Sequence, residues 1–383
     1  MHTVAILGSG KIGAAVAKLL SWSGDYKVTV ADMHQRALHR LRESCPDIET
    51  VSLDLRDEGR LVELLSGKEM VLSACPFHVN AGIARAALEA GCSYFDLTED
   101  RETTRSIQQI AGDAREGQLF MPQCGLAPGF ISILAYQLCR SFDSLDSVKM
   151  RVGALPQFPS NMMMYNLTWS TDGLINEYCN PCEAIHENRL TEVLALEGLE
   201  LFSLDGKNYE AFNTSGGLGT LCETLKGKVR NLNYKTVRYK GHQYLMQFLI
   251  NELHMGKYRE ALREILESAI PITLQDVTLI FCTVSGWIDG KLTQRSSARK
   301  IYSAEIHGER WSSIQITTAA AICAVVDLKA QGILSGRGFI RQESVPCDAF
   351  MANRFGRYYD VSTDGGHEVR IEPIMITRDE EAS

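Results

Sequence analysis

The apolar tetrad Val4-Ala5-Ile6-Leu7 runs directly into Gly8-Ser9-Gly10-Lys11-Ile12-Gly13, after which apolar residues recur at helical spacing: Ile12, Val16, Leu19 and Leu20. A second β-branched run, residues 27–31, ends at Asp32. No other feature limits the fold of this chain so tightly. Strand, glycine turn, helix and a strand ending in an acid, in that order, describe a βαβ unit that holds a dinucleotide. Gly8 permits the tight turn, Gly10 lets the backbone approach a diphosphate, and Gly13 lets helix lie against strand. The helix N-terminus offers free N–H groups and partial positive charge to that diphosphate, with Ser9, Lys11 and Ile12 in the same loop. Asp32 is expected to accept hydrogen bonds from a ribose diol and to repel a 2′-phosphate, which favours NAD over NADP. His34 and Arg36 lie close by and moderate that preference. The competing reading is a glycine turn in an α/β domain that binds nothing.

Strand and helix patterns keep alternating to about residue 121. Strands are expected at 49–53, 70–74, 94–95 and 119–121, and helices at 61–65, 80–90 and 101–114. That alternation predicts a doubly wound parallel sheet, the N-terminal Rossmann part of an α/β protein. Ligands of such sheets bind beyond the carboxyl ends of the strands. Asp54, Ser73, Ala74, Cys75, Pro76 and Asp96 are therefore expected at the coenzyme edge, although Asp54 reads equally well as a helix N-cap.

The Gly- and Pro-rich stretch 122–129 punctuates a domain boundary. Longer strand-like runs follow at 147–154, 162–169, 277–284 and 300–307, which predicts a second, α+β domain on a mixed or antiparallel sheet. The expected division is a dinucleotide-binding domain over 1–127 and a substrate-binding and dimerisation domain over 128–312. A helix over 313–331 begins a C-terminal return, to about 350, that packs back on the first domain. The densest chemical cluster is 234–242, with Lys235, Arg238, Lys240 and His242 between Tyr234 and Tyr239. Arg binds a carboxylate in a fork and Lys as a point charge, and His moves protons near neutral pH. An exposed strand with Tyr and Lys or Arg on opposite faces has the same pattern. Cys124, at a strand end, either lines the site or fills core space. Cys179 and Cys182 have the spacing of half a zinc site without a second pair, so no metal is expected.

Hydrophobic residues make up 45% of the 383 and charged residues 22%, an ordinary globular composition that excludes dominant disorder. With 39 basic and 47 acidic side chains the net charge is −8, so nothing draws the whole chain to nucleic acid or an anionic membrane. No run of about 18 apolar residues suggests a bilayer span. No basic leader precedes Val4, and the eleven cysteines form no framework, so a reducing cytosol is the expected location.

Four stretches, Gly8 to Gly13, Cys124-Gly125-Leu126-Ala127-Pro128-Gly129, Thr214-Ser215-Gly216-Gly217 and Tyr234-Lys235-Thr236-Val237-Arg238-Tyr239 with Gly241-His242, resemble the saccharopine dehydrogenase family, and within it the lysine 6-dehydrogenases. The resemblance implies oxidation or reduction of a carbon–nitrogen bond with NAD or NADP. It also implies a central sheet that forms the substrate pocket and a homodimer interface. It leads to an NAD-dependent oxidation of the lysine ε-amine to a semialdehyde, with a saccharopine or carboxynorspermidine dehydrogenase as the second enzyme reading. A nucleotide-binding regulatory protein on the same fold is the non-enzyme reading. On this basis Asp96, Lys235 and His242 are the candidate catalytic residues. Arg238, Tyr239, Cys124, Thr171 and Gly216 are candidate contacts for an amino-acid substrate. Pro128 and Gly129 join the glycine turn, Asp32, Asp54 and residues 73–76 at the coenzyme.

Overall fold

The computed structural model describes residues 1–360. The first part alternates strand and helix in chain order: β1 (His2–Leu7), α1 (Lys11–Trp22), β2 (Tyr26–Asp32), α2 (Gln35–Ser44), β3 (Glu49–Ser52), α3 (Glu58–Leu65), β4 (Met70–Ser73), α4 (Phe77–Ala90), β5 (Ser93–Asp96), α5 (Arg101–Ile110), β6 (Leu119–Met121) and α6 (Phe130–Cys139). The second begins with β7 (Ser144–Pro156), α7 (Thr171–Cys179), β8 (Cys182–His186), β9 (Arg189–Val193), β10 (Glu200–Leu204) and β11 (Lys207–Asn213). It continues with α8 (Leu221–Leu225), β12 (Val229–Tyr239), α9 (His242–Gln247), α10 (Arg259–Ala269), β13 (Asp276–Ile288) and β14 (Lys291–Tyr302). A small hairpin, β15 (Ala304–Ile306) and β16 (Glu309–Trp311), leads to α11 (Ser313–Ala330), β17 (Gly338–Phe339) and α12 (Cys347–Ala352).

The first sheet has the order β17-β6-β5-β4-β1-β2-β3, and every pairing in it is parallel. Its strands are buried on both faces, hence their unbroken apolar runs. Val4 and Ile6 of β1 face α1 and α11, whereas Ala5 and Leu7 face the layer of α3, α4 and α5. Helix α11 is long and apolar enough to cross a membrane, yet 72% of it is buried against this core. Ser312 caps it in a capping box with Gln315, and Asp276 of β13 accepts the Ser313 N–H at 2.6 Å.

The second sheet has the order β10-β11-β12-β7-β13-β14, with β8 and β9 beside β12. β12 and β7 run parallel and the other pairs antiparallel, so the sheet is mixed. The inner face of this sheet (Val148, Met150, Val152, Leu232, Tyr234, Ile280) packs on α6 and α11 and continues the core of the first sheet. Segment 162–169, expected as a strand, is instead a looped stretch. The Asn161 side chain ties it by donating to the Tyr165 carbonyl at 2.6 Å. Asn161 thus closes a local turn that competes with strand pairing.

Candidate active site

The glycine turn is shaped by close packing. Gly8 has φ +97°, a conformation in which L side chains are strained. A Cβ on Gly13 would stand 1.9 Å from the Gly8 carbonyl oxygen, so only hydrogen fits there. A Cβ on Gly10 would meet nothing within 4 Å. Gly10 is also the N-cap of α1 and provides no side-chain cap, so the first N–H groups of the helix face open space. These residues fit the diphosphate of a dinucleotide. Ala74 and Cys75, past the end of β4, lie against Gly8, which brings Ser73 to Pro76 to the same edge. Asp32 accepts from the Ser9 N–H and Oγ at 2.7 and 2.8 Å and from the His34 N–H at 2.8 Å. Partial burial raises its pKa, but those donors prevail and hold the carboxyl below its usual range, so it is ionised.

Several expected coenzyme and substrate residues have other work. Asp54 is exposed and turned back on Arg56, whose Nη2 lies 2.6 Å away; the N-cap of α3 is Asp57, which accepts from the Arg60 N–H at 3.1 Å. Pro128 packs against Gly219, and a Cβ on Gly129 would stand 1.9 Å from the Gly125 carbonyl oxygen. The first N–H groups of α6 bond to Gly125 and Leu126, so this helix start has nothing to offer an anion. Cys124 is fully buried, donates to the Met121 carbonyl at 3.0 Å and accepts from Gln342 at 3.1 Å; burial keeps it a thiol. Asp96 accepts four hydrogen bonds, from Tyr94 Oη (2.7 Å), Asn80 Nδ2 (3.2 Å), the Thr98 N–H (3.0 Å) and the Gln123 N–H (2.9 Å). Burial pushes its pKa up to about 6, but no lone pair faces outward for a base. It anchors the loops after β5 and β6.

Cluster 234–242 divides along the pleat. β12 alternates faces, so Tyr234, Thr236 and Arg238 point inward while Lys235, Val237 and Tyr239 point outward. Lys235 Nζ lies 2.7 Å from Glu200 Oε1, and the same carboxylate takes Arg151 at 2.9 Å. The Tyr239 hydroxyl donates to the Pro156 carbonyl at 2.9 Å. Both residues are removed from the inward cluster.

Arg238 is the centre of that inward cluster. It is 2% exposed, its Nε donates to the Tyr178 hydroxyl at 2.9 Å, and its Nη1 donates to the Val237 carbonyl at 2.8 Å. The guanidinium carbon lies 5.1 Å from the Tyr165 ring centroid and 5.8 Å from that of Tyr178. Four Lys and Arg side chains are buried among the described residues. Lys18 pairs with Glu309, and Arg151 and Lys235 pair with Glu200, while Arg238 has no carboxylate within ion-pair distance. His242 is fully buried behind it. Its Nδ1 lies 2.9 Å from the Met163 carbonyl, which can only accept, so that nitrogen carries the proton; Nε2 accepts from Tyr178 Oη at 3.1 Å. Burial, then the charge of Arg238, push the imidazole down to about 3, so it stays neutral and holds Tyr178 rather than titrating near neutrality.

Helix α7 carries the expected Thr171 and also Glu177 and Tyr178, which sequence reasoning missed. Ser170 caps it, and Gly173 leaves room for the Trp169 ring, which a Cβ would strike at 2.3 Å. Tyr178 and Glu177 occupy its last turn, and Thr171, buried at its first position, lies seven residues before Tyr178 on the same side of the helix. Glu177 has no ion pair or hydrogen bond to its carboxyl among the described residues. Burial pushes its pKa up to about 8; the charge of Arg238 lowers it and that of Glu99 raises it. Glu99 is raised as well, first by burial. Gly216 brings these parts together: with φ +86° it lies under Glu99, whose carbonyl oxygen a Cβ would strike at 2.7 Å, while the Ser215 N–H donates to the Glu177 carbonyl at 3.0 Å. The hydroxyls of Tyr165 and Thr214 are buried without a hydrogen-bond partner among the described residues. Among the described residues no group of three or more metal-ligating side chains occurs.

Two family profiles match the chain. The one described as "Saccharopine dehydrogenase NADP binding domain" covers residues 4–117, and "Saccharopine dehydrogenase C-terminal domain" covers 125–353. "Alpha-aminoadipic semialdehyde synthase, mitochondrial" of Rattus norvegicus is 21% identical over 259 residues, covering 62% of this chain and 27% of that protein. "Saccharopine dehydrogenase [NADP(+), L-glutamate-forming]" of Schizosaccharomyces pombe is 21% identical over 199 residues, covering 50% of this chain and 44% of that one. The chain thus spans less than half the length of these relatives. Among solved structures, apo saccharopine dehydrogenase (L-Glu forming) from Saccharomyces cerevisiae shares the fold, with a TM-score of 0.75, 16% identity, and coverage of 94% of this chain and 96% of that one.

Proposed function

The chain belongs to the saccharopine dehydrogenase family, and on that premise we propose that it is an NAD-dependent lysine 6-dehydrogenase. The proposed reaction converts the ε-amine of L-lysine and one water to ammonium and 2-aminoadipate 6-semialdehyde, which cyclises to 1-piperideine-6-carboxylate. When bound, the oxidised nicotinamide takes up the hydride of the amine-bearing carbon. Gly8 to Gly13 would hold its diphosphate, Asp32 its adenosine ribose, and residues 73–76 would line its path.

The observation that carries this reading is the guanidinium of Arg238, buried, held by Tyr178 and without an ion-paired carboxylate among the described residues. A buried cation without a counter-ion is set up to receive a carboxylate, here the α-carboxylate of an amino acid. The alternative, a saccharopine-type substrate, brings additional carboxylates and calls for additional inward cations. Lys235 and Arg151 are bound to Glu200 on the outer face, which favours the smaller, singly carboxylated lysine. His242 and Tyr178 serve as positioning residues for Arg238. The partly exposed Trp287, Leu292 and Tyr302 at the β13–β14 edge suit pairing with a second copy, giving twice 42.5 kDa in solution. With eleven free thiols, a reducing compartment such as the cytosol is the proposed location.

The deciding experiment is NADH formation from lysine alone. A requirement for 2-oxoglutarate or glutamate would replace this reading with the saccharopine one, and no turnover with any of them would leave a nucleotide-binding regulator. Coenzyme preference is tested at Asp32. A hydrogen bond to a charged acceptor contributes about 1.5–3 kcal/mol. Asp32→Ala is therefore expected to lower kcat/KM for NAD roughly tenfold or more, with a smaller loss for NADP. Equal losses would contradict the assignment to NAD.

A further inference from the structure

We propose that Glu177 is the proton acceptor for the substrate ammonium and that Glu99 is the second carboxylate of the ammonium seat. The inference rests on the proposed amine oxidation and adds to it the group that starts the reaction.

The last turn of α7 places two consecutive side chains in complementary roles. Tyr178 holds Arg238, the group assigned to the carboxylate end of the substrate, and Glu177 precedes it with a buried carboxyl that no partner among the described residues engages. Loop 214–217 draws the two acids together: the Ser215 N–H fixes the Glu177 backbone, and Gly216 lies directly under Glu99. Arg238 is the cation whose charge acts on Glu177, and Glu99 opposes it. Two carboxylates in one field, Glu177 buried and Glu99 half-buried, favour keeping one of them protonated. A cation brought between them reverses that preference. The seat therefore suits a primary ammonium, and its arrival is what ionises Glu177.

The step is a single proton transfer. An N–H bond of the ammonium breaks, an O–H bond forms on Glu177, and the freed nitrogen lone pair becomes available to form the C=N bond as hydride leaves the carbon. An ammonium cannot do this, since its lone pair is committed to the proton. The proton leaves Glu177 for solvent after turnover.

Lysine binding without coenzyme tests the assignment. In wild-type protein at pH 7 Glu177 is mostly protonated, because burial pushes it up to about 8. Titration calorimetry in buffers of different ionisation enthalpy is expected to find close to one proton released per lysine bound, falling away by pH 9. Glu177→Gln should release none. Turnover should show kcat/KM rising with pH through about 8, and Glu177→Gln should lose that limb along with 10²- to 10⁴-fold of rate, the range of general base catalysis. Glu177→Asp, which keeps a carboxylate, should restore part of both.

A structural role would move a different readout. A carboxyl whose pKa is raised by folding stabilises the protein below its unfolded pKa, and that stability is lost as pH rises through about 8. Glu177→Gln should therefore melt with wild type at pH 5 and several degrees above it at pH 9. A variant that melts lower at both pH values marks Glu177 as a packing residue. Equal proton release in wild type and Glu177→Gln, or an acid limb that survives the substitution, would overturn this assignment alone. Wild-type protein that binds lysine yet forms no NADH would overturn the functional reading instead.

Discussion

Replacing Arg238 by methionine is expected to raise KM for lysine about 30-fold or more while the protein stays folded. Losing one partner of a buried charged contact costs about 2–5 kcal/mol, and each 1.4 kcal/mol is tenfold. Folding should survive because Arg238 has no ion-paired carboxylate to strand among the described residues. Methionine also fills an irregular apolar space between Tyr165 and Tyr178. Lysinamide is the control for the contact itself. Wild-type enzyme should discriminate strongly against this carboxylate-free substrate, and Arg238→Met should treat the two alike. An unchanged KM for lysine would remove Arg238 from the site. Tyr178→Phe should produce a weaker version of the same change, since it frees the guanidinium without deleting it.

The second large effect comes from two glycines three residues apart. Gly13→Ala is expected to destabilise the fold by about 1–3 kcal/mol or more, as overpacking does, because its Cβ would be 1.9 Å from the Gly8 carbonyl oxygen. Thermal melting should record it with no ligand present. Gly10→Ala should leave the melting temperature close to wild type, since its Cβ meets no protein atom within 4 Å. Coenzyme affinity should fall roughly tenfold or more, because the methyl keeps the diphosphate from the helix N–H groups. If Gly10→Ala bound the coenzyme normally, the glycine turn would not be the diphosphate cradle.

What could be read in the chain follows from how local the determining forces are. The βαβ unit from Val4 to Asp32 was legible because its turn, helix start and acid all act within a few bonds of one another. The alternating order of strands and helices to residue 121 was legible for the same reason, as was the return helix α11. At the candidate site, Arg238 was singled out by residue type and His242 with it, but the surroundings that keep the histidine neutral were not legible. Its tautomer depends on Met163, 79 residues away, occupying Nδ1. Asp96 was correctly assigned to a strand end, where only the folded structure reveals four donors converging on its carboxyl. Asp54 and Asp57 are three residues apart, and the choice of cap turned on where α3 begins. Glu177 and Tyr178 were missed because the sequence between 170 and 180 carries no motif, and their meaning comes from β12 and the Gly216 loop folding over them. The one available signal was a glutamate followed by a tyrosine in a short helix among apolar residues, which is ordinary until its neighbours are known.

The alternation of β12 has a consequence for how such a site can change. The strand is hydrogen-bonded on both sides, to β11 and β7, so its register is pinned. Inserting one amino acid just ahead of Lys235 would interchange odd and even positions. The guanidinium would then take the outward place of Tyr239, opposite Tyr209, and the ammonium of Lys235 would leave Glu200 for the inward place of Thr236, opposite Phe212. Evolution can alter this pocket by exchanging side chains one at a time, but a shift of frame within the strand would invert it.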